Sequence, residues 1–464
     1  MTTDQTPISR QEHLERFLDW RFGIMLHWGP GAGLGKENRP NEPQMRELAA
    51  GFDRQATRFD ADQWVEAFRR AGARYVTLTV RHNRGLDFTL YPTGLDDFHS
   101  QRDYVGELCA ACKRAGMGFF VYLSLGIRAL REAPEGDAAA LKQAMADRVV
   151  KLGALLEEIA GRYPIDGVWF DAWTNINSRA RAAGLSFEDV YDLGAVLAAA
   201  RKIRPDLLVG NKMPYPPHTD FLLSEHLFVT HTGQALGGGQ FPAVEVAEPL
   251  PGSTWYSHFP TQRAFLSPEQ IAIQTRTYTK RLVVCAARGM NYLLNAGPLP
   301  DGQIQDVEAT MLRGMGDWLR RHEEAIYGTR YAFEGPWGYA VAKASRAYLH
   351  AIDTSDIFST IQNEKIDLRL MPGQQWQTHG LPADGQLAVD LPGPTQGPGR
   401  AEGTPSGVLQ GGAGDAPRVL RAALLSGTAD LPFVQQGRHV VIDCRRVQPD
   451  PVSTVIALDF APAR

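Results

Sequence analysis

Between about residues 8 and 330 the chain repeats one pattern: a short apolar run of strand type, an amphipathic stretch of helical period, and the next run. The runs are FGIMLHW (22–28), RYVTLTV (74–80), GFFVYLS (118–124), DGVWFDA (166–172), DLLVGN (206–211), DFLLSE (220–225) and MNYLLNA (290–296). A further strand is expected near TWYSHF (254–259). Strands that are apolar on both faces need cover on both faces, and intervening helices supply it, so the sheet is parallel. Helix starts are signalled by Asp60 with Gln63, Ser186 with Asp189, and Ser267-Pro268-Glu269-Gln270. Seven or eight such units predict a closed (β/α)8 barrel. An open nucleotide-binding sheet fits less well, because no G-x-G-x-x-G follows any strand.

After about residue 335 the texture changes to short alternating runs with little helical period. Between Met371 and Arg418 lie 11 glycines and 7 prolines, a composition that cannot pack as a helix. The expected division is a catalytic barrel over 8–335 and a small all-β, sandwich-like domain over 336–464 with a Gly/Pro-rich insert. Its few aromatics (Trp337, Trp376) fall on no evident common face.

Lys and Arg number 48 against 52 Asp and Glu, a net charge of −4, so no basic excess points to nucleic acid or an anionic membrane. No apolar run is long enough to span a bilayer, and MTTDQTPISRQEHLERF lacks the apolar core of a secretory signal. The expectation is a cytoplasmic protein. Four cysteines (Cys109, Cys112, Cys285, Cys444) are too few for a disulfide scaffold. The Cys109–Cys112 pair lacks the partners of a zinc site and reads as mid-helix, so small buried thiols are expected. No metal or cofactor is implied.

In a (β/α)8 barrel the active site lies at the C-terminal ends of the strands. There the sequence places His27-Trp28, Arg81-His82-Asn83, Tyr122 and Ser124, Trp169-Phe170-Asp171, Asn211, Glu225 and Asn295. Together they describe an aromatic, polar cup suited to a sugar, whose C–H face packs on rings while its hydroxyls take hydrogen bonds. Glycoside hydrolysis needs two carboxyl groups. Asp171, at the end of an apolar strand, is the candidate nucleophile. Glu225, Glu245 and Glu248 are candidates for the second carboxyl, and the Gly- and Pro-rich segment 231–259 (with Phe241, Trp255 and Tyr256) reads as a binding loop.

Five segments, in order, resemble family 29 of the glycoside hydrolases, the retaining α-L-fucosidases. RFGIMLHWGP (21–30) resembles its K-F-G-I-F-x-H-W-G-P, and FDADQWVEAFRRAGARYVTLTVRH (59–82) its F-D-A-x-x-W segment. GVWFDAW (167–173) is similar to its nucleophile-bearing W-F-D. NYLLNAGPLPDGQI (291–304), followed by GDWLRRHEEAIYGTR (316–330), resembles its last two motifs. The resemblance spans roughly residues 15–335 and implies a barrel followed by a β-sandwich.

It also implies cleavage of terminal α-L-fucosyl residues from an oligosaccharide or glycoside by a two-carboxylate double displacement, with Asp171 as nucleophile. His27, Trp28, Glu42, His82, Asn83, Tyr122, Trp169 and Trp255 would bind the sugar. The family's glutamate ten residues before a tryptophan corresponds to Glu245 before Trp255, which makes Glu245 the implied acid/base, ahead of Glu248 and Glu225. Two departures bear on the sugar: Asn83 replaces the second of two histidines, and Pro43 replaces a tryptophan. A lost hydrogen-bonding partner there is worth about 1–3 kcal/mol, so a related α-L-glycoside such as an α-L-galactoside is one alternative. A non-catalytic sugar-binding homologue is the other, because the motif fixes the acid/base poorly. Homo-oligomerisation is left open.

Overall fold

The computed structural model describes residues 8–34, 41–82, 87–126, 130, 133–212, 217–225, 243–251, 253–257, 266–357, 378–392, 416–427 and 429–462. Eight strands follow one another around a closed sheet: β1 (Phe22–Leu26), β2 (Tyr75–His82), β3 (Gly118–Ser124), β4 (Gly167–Asp171), β5 (Leu208–Asn211), β6 (Phe221–Glu225), β7 (Val244–Pro249) and β8 (Asn291–Ala296). Pairing is parallel from β1 through β7, and β1 is bonded to both β2 and β8. Seven of these strands fall on the expected runs. The eighth does not: residues 253–257 form only a two-residue hairpin, and the strand lies at 244–249. There the run is short, ends in Pro249 and carries two glutamates, Glu245 and Glu248, at buried positions, so no apolar pattern marks it.

The helices, in chain order, are α1 (Arg10–Trp20), α2 (Glu42–Gln55), α3 (Ala61–Arg70), α4 (Tyr104–Arg114), α5 (Ala138–Arg162), α6 (Trp173–Ala182), α7 (Leu193–Ile203), α8 (Pro268–Ala287) and α9 (Asp306–His322). Asp60 caps α3 through the Gln63 amide, and Ser267 forms a capping box with Gln270 behind Pro268. Ser186 and Asp189 exchange the hydrogen bonds of such a box too, but they close only a turn. The helix begins at Leu193, capped by Asp192.

Alternation along each strand sorts the barrel interior. Met25, Tyr75, Phe120, Tyr122, Trp169, Leu208, Phe221, Leu223, Ala243, Ala247 and Leu293 form one buried cluster, closed below by Phe17 of α1. Its large rings need close backbone approach. A Cβ on Gly23 would stand 2.4 Å from the Tyr75 ring, and one on Gly210 2.5 Å from Phe221. Each fully buried ring contributes about 1.5–3 kcal/mol relative to exposure, so this layer is the rigid floor on which the upper residues stand.

The C-terminal unit has a five-stranded antiparallel sheet, in spatial order β9 (Arg330–Gly335), β10 (Gly338–Lys343), β11 (Arg346–Ala351), then the last strand of the chain (Thr454–Phe460) and Val419–Leu424. A second sheet joins Gln386–Asp390, His439–Asp443 and Phe433–Gln436. Residues of both sheets, among them Leu349, Leu387, Val389, Ile442 and Ile456, share one apolar core, which is a β-sandwich. Trp337 is buried in it, whereas Trp376 lies outside the described residues. By compactness α8 and most of α9 group with these sheets, and the remaining barrel elements form the other unit. Within the Gly/Pro-rich stretch, QLAVD (386–390) is a paired strand.

Candidate active site

The C-terminal ends of the barrel strands bring Asp171, Tyr122, Lys212, Glu225, His27, His82, Asn295 and Trp255 together. Strand parity explains most of this. Trp169 faces inward, so Asp171 two residues on does too; Phe221 and Leu223 lead to Glu225 in the same way. On β5, inward Leu208 is followed by Gly210 and then Lys212.

β2 departs from simple alternation, and the departure is what delivers His82. A bulge shifts the register so that Thr79 opposes Tyr122 but Arg81 opposes Leu123. Arg81 therefore turns outward into a buried pair with Asp87 and Asp96, at 2.7 and 3.0 Å. His82 turns inward and stacks on Tyr122, with ring centres 5.4 Å apart at 19°. Tyr122 in turn stacks on Trp169 at 5.1 Å and 24°. His27 meets the rings of His82, Tyr122 and Trp255 at 5.2, 5.5 and 5.4 Å. Its Nδ1 lies 2.6 Å from Asn295 Oδ1, and the Asn295 amide donates to the Trp255 carbonyl. The result is a wall of stacked rings with polar edges.

Asp171 is held from three sides. The Tyr122 hydroxyl donates to Oδ2 at 2.6 Å, the Ala172 amide donates to Oδ1 at 2.6 Å, and the Lys212 ammonium stands 2.6 Å from Oδ1. Burial would push this carboxyl up, but the Lys212 charge and these hydrogen bonds hold it well below the usual carboxylate range. Asp171 is an anion throughout the physiological range. Ala172 takes a left-handed conformation (φ 80°), a backbone strain of about 1–3 kcal/mol that recurs at functional turns.

Lys212 also donates to Glu225 Oε1. One ammonium thus bridges two carboxyl groups, and two oxygens hydrogen-bonded to a single nitrogen stand no more than about 5 Å apart, well short of the ~6.5–9.5 Å between the carboxyl groups of an inverting glycosidase. Sequence reading stopped one residue short of Lys212, at Asn211, although strand parity pointed past it. Asn211 faces the other way and is occupied by the Trp173 indole and Thr219.

Glu245 sits elsewhere. It is 1% exposed, on β7 rather than a loop, between inward Ala243 and Ala247. The Tyr75 hydroxyl donates to its Oε2 at 2.6 Å and the Trp169 indole to its Oε1 at 2.9 Å. It lies beneath Trp169, with both oxygens occupied. Burial raises its carboxyl to about 7, and the two hydrogen bonds only partly oppose this. Glu248, of opposite parity on β7, is buried on the outward face of the barrel.

One further expected sugar contact, Trp28, stands apart from this cluster. Trp28 turns outward. Its indole stacks on Phe59 at 5.3 Å and 11°, packs against Phe52, Trp64 and Tyr104, and donates to the Leu299 carbonyl. His27 and Trp28 are adjacent in β alternation, so only one of them can face in. Glu42 opens α2, half exposed and paired with Arg46. Asn83 lies outside the described residues. All four cysteines are buried and unlinked, and burial pushes the Cys109 thiol up to about 12, as expected of structural thiols in α4. Among the described residues no cluster could hold a metal ion, and no helix is long and apolar enough to cross a membrane.

The family model for alpha-L-fucosidase matches residues 1–324. The chain belongs to the alpha-L-fucosidase family. The rat tissue alpha-L-fucosidase is 23% identical over 398 residues, 77% of this chain and 78% of its own length. The bovine tissue enzyme is 25% identical over 372 residues, covering 72% and 71%. In fold, the chain resembles an alpha-L-fucosidase of Bacteroides thetaiotaomicron (TM-score 0.72, 18% identity, 98% of each chain). It also resembles the alpha-fucosidase of Thermotoga maritima (TM-score 0.62, 20% identity, 97% of this chain and 98% of that one).

Proposed function

We propose that this family member removes terminal α-L-fucosyl residues from oligosaccharides or simple glycosides with retention of configuration, using Asp171 as nucleophile and Glu225 as acid/base. The observation that supports this reading is the Asp171–Lys212–Glu225 bridge, which holds one oxygen of each carboxyl group within about 5 Å of the other, short of the wider spacing of an inverting pair. In the first half-reaction an Asp171 oxygen bonds to the anomeric carbon, the bond to the leaving oxygen breaks, and Glu225 gives that oxygen its proton. In the second, water attacks the same carbon, its proton passes to Glu225, and the Asp171 ester is released.

Glu225 is favoured over Glu245 because Glu245 already shares both oxygens with Tyr75 and Trp169 below the cup. The sugar itself is supported by the family and by relatives named for this activity, among them the rat tissue alpha-L-fucosidase. A related structure from Bacteroides thetaiotaomicron is described as a trapped covalent intermediate with 2-fluoro-fucosyl fluoride. Incubating this protein with that reagent and mapping the adduct by mass spectrometry tests the assignment. The expected result is one glycosyl group, on Asp171. An adduct elsewhere, or an Asp171→Ala variant that keeps more than about a thousandth of the turnover of nitrophenyl α-L-fucoside, refutes it.

A further inference from the structure

A double displacement makes no direct use of an ammonium group, yet Lys212 occupies the centre of the site. Its side chain is 7% exposed, its Nζ contacts both Asp171 and Glu225, and it lies 5.7 Å from the centre of the Trp169 ring. Burial disfavours a charged lysine, and the carboxyl groups facing it, Asp171 foremost, more than reverse that, so it stays protonated.

We propose that Lys212 is a positioning residue that keeps the charge of the catalytic pair balanced through both half-reactions, holding Asp171 while it is the anion and Glu225 once Asp171 is esterified. This rests on the Asp171–Glu225 reading. Before attack, Asp171 is ionised and Glu225 carries the proton. After attack, Asp171 is a neutral ester and Glu225, having given its proton to the leaving group, is ionised. One negative charge is present at each stage, and it moves from one neighbour of Lys212 to the other. The ammonium therefore faces one anion throughout, and the surroundings need no rearrangement as the charge crosses. A lysine suits this better than an arginine. Its three donors radiate from one nitrogen, so the two carboxyl groups it joins face the same compact charge, whereas a guanidinium spreads its charge and donors over a plane. Lys212 also leaves Asp171 Oδ2 to Tyr122, which fixes the carboxylate plane.

The test is the pH dependence of kcat and KM for the wild type, Lys212→Met and Lys212→Arg on nitrophenyl α-L-fucoside. Lys212→Met is expected to lose about 10- to 100-fold in kcat with KM little changed. Its acidic limb should rise by at least about one pH unit, because Asp171 is no longer held ionised. Lys212→Arg should keep the acidic limb of the wild type while losing part of kcat. An unmoved acidic limb in Lys212→Met, a loss confined to KM, or the same shifted limb in both variants overturns the proposal. Azide rescue of Glu225→Ala reports separately on the carboxylate assignment. With rescue observed and the Lys212 profiles unmoved, only the role of Lys212 falls; without rescue, the acid/base reading falls first.

Discussion

Glu245 offers a measurement in which stability, rather than turnover, reports on a residue at the heart of the barrel. Its carboxyl is raised from the ordinary value near 4.5 to about 7 by burial. In the folded protein it therefore stays protonated over a pH range in which the unfolded chain has already lost that proton. The stabilisation this provides is fully present below about pH 4.5 and is lost as pH rises through about 7. At about 1.4 kcal/mol per pH unit the full effect is about 3 kcal/mol, and the part falling between pH 5 and pH 8 is about 2 kcal/mol.

Glutamine copies the protonated form closely. The Trp169 indole can only donate, so one side-chain oxygen must accept from it; the Tyr75 hydroxyl, which donates to the carboxylate form, rotates to accept from the proton of the neutral carboxyl or from the glutamine amide. Urea unfolding of the wild type and Glu245→Gln at pH 5 and pH 8, followed by tryptophan fluorescence, isolates the group. The wild type should lose about 2 kcal/mol more than the variant across that interval. Parallel profiles would refute the buried, protonated Glu245. So would a variant inactive on a poor leaving group but active on a nitrophenyl fucoside and rescued by azide, since those are properties of an acid/base.

Other expectations follow from particular contacts. Tyr122→Phe removes the donor to Asp171 Oδ2, so the acidic limb of kcat/KM should rise, with a loss of about 10-fold in rate and an unchanged unfolding midpoint. Trp28→Ala should cost about 3–5 kcal/mol of stability in a denaturant titration while KM for the folded fraction stays that of the wild type, because the ring packs on Phe59 and Trp64 outside the cup. Replacing Cys109 and Cys112 by alanine should leave activity indifferent to oxidant and reductant, as expected of buried, unlinked thiols.

What the sequence disclosed, and what it concealed, follows from how side chains signal their surroundings. Strands lined by Val, Ile, Leu and Phe announced themselves, and seven barrel strands were legible to within two or three residues. β7 was not, because two of its buried positions are glutamates, and a glutamate satisfied by Tyr75 and Trp169 looks in sequence like a loop residue. The same blindness misplaced Glu245. Its ten-residue spacing to Trp255 is a fact of the chain, but spacing does not show depth, and depth separates a carboxyl beneath Trp169 from one beside Asp171. Parity could have gone further. From Leu208 and Gly210 it leads to Lys212, and it forbids His27 and Trp28 from facing the same way. The bulge in β2 is where parity itself fails, since Arg81 and His82 exchange faces only through a register shift that no residue type announces. An active site built from alternate residues of neighbouring strands is thus readable as far as its strands are regular. Its decisive bridge, one ammonium between two carboxylates from different strands, depends on the stagger of β4, β5 and β6 and is visible only in three dimensions.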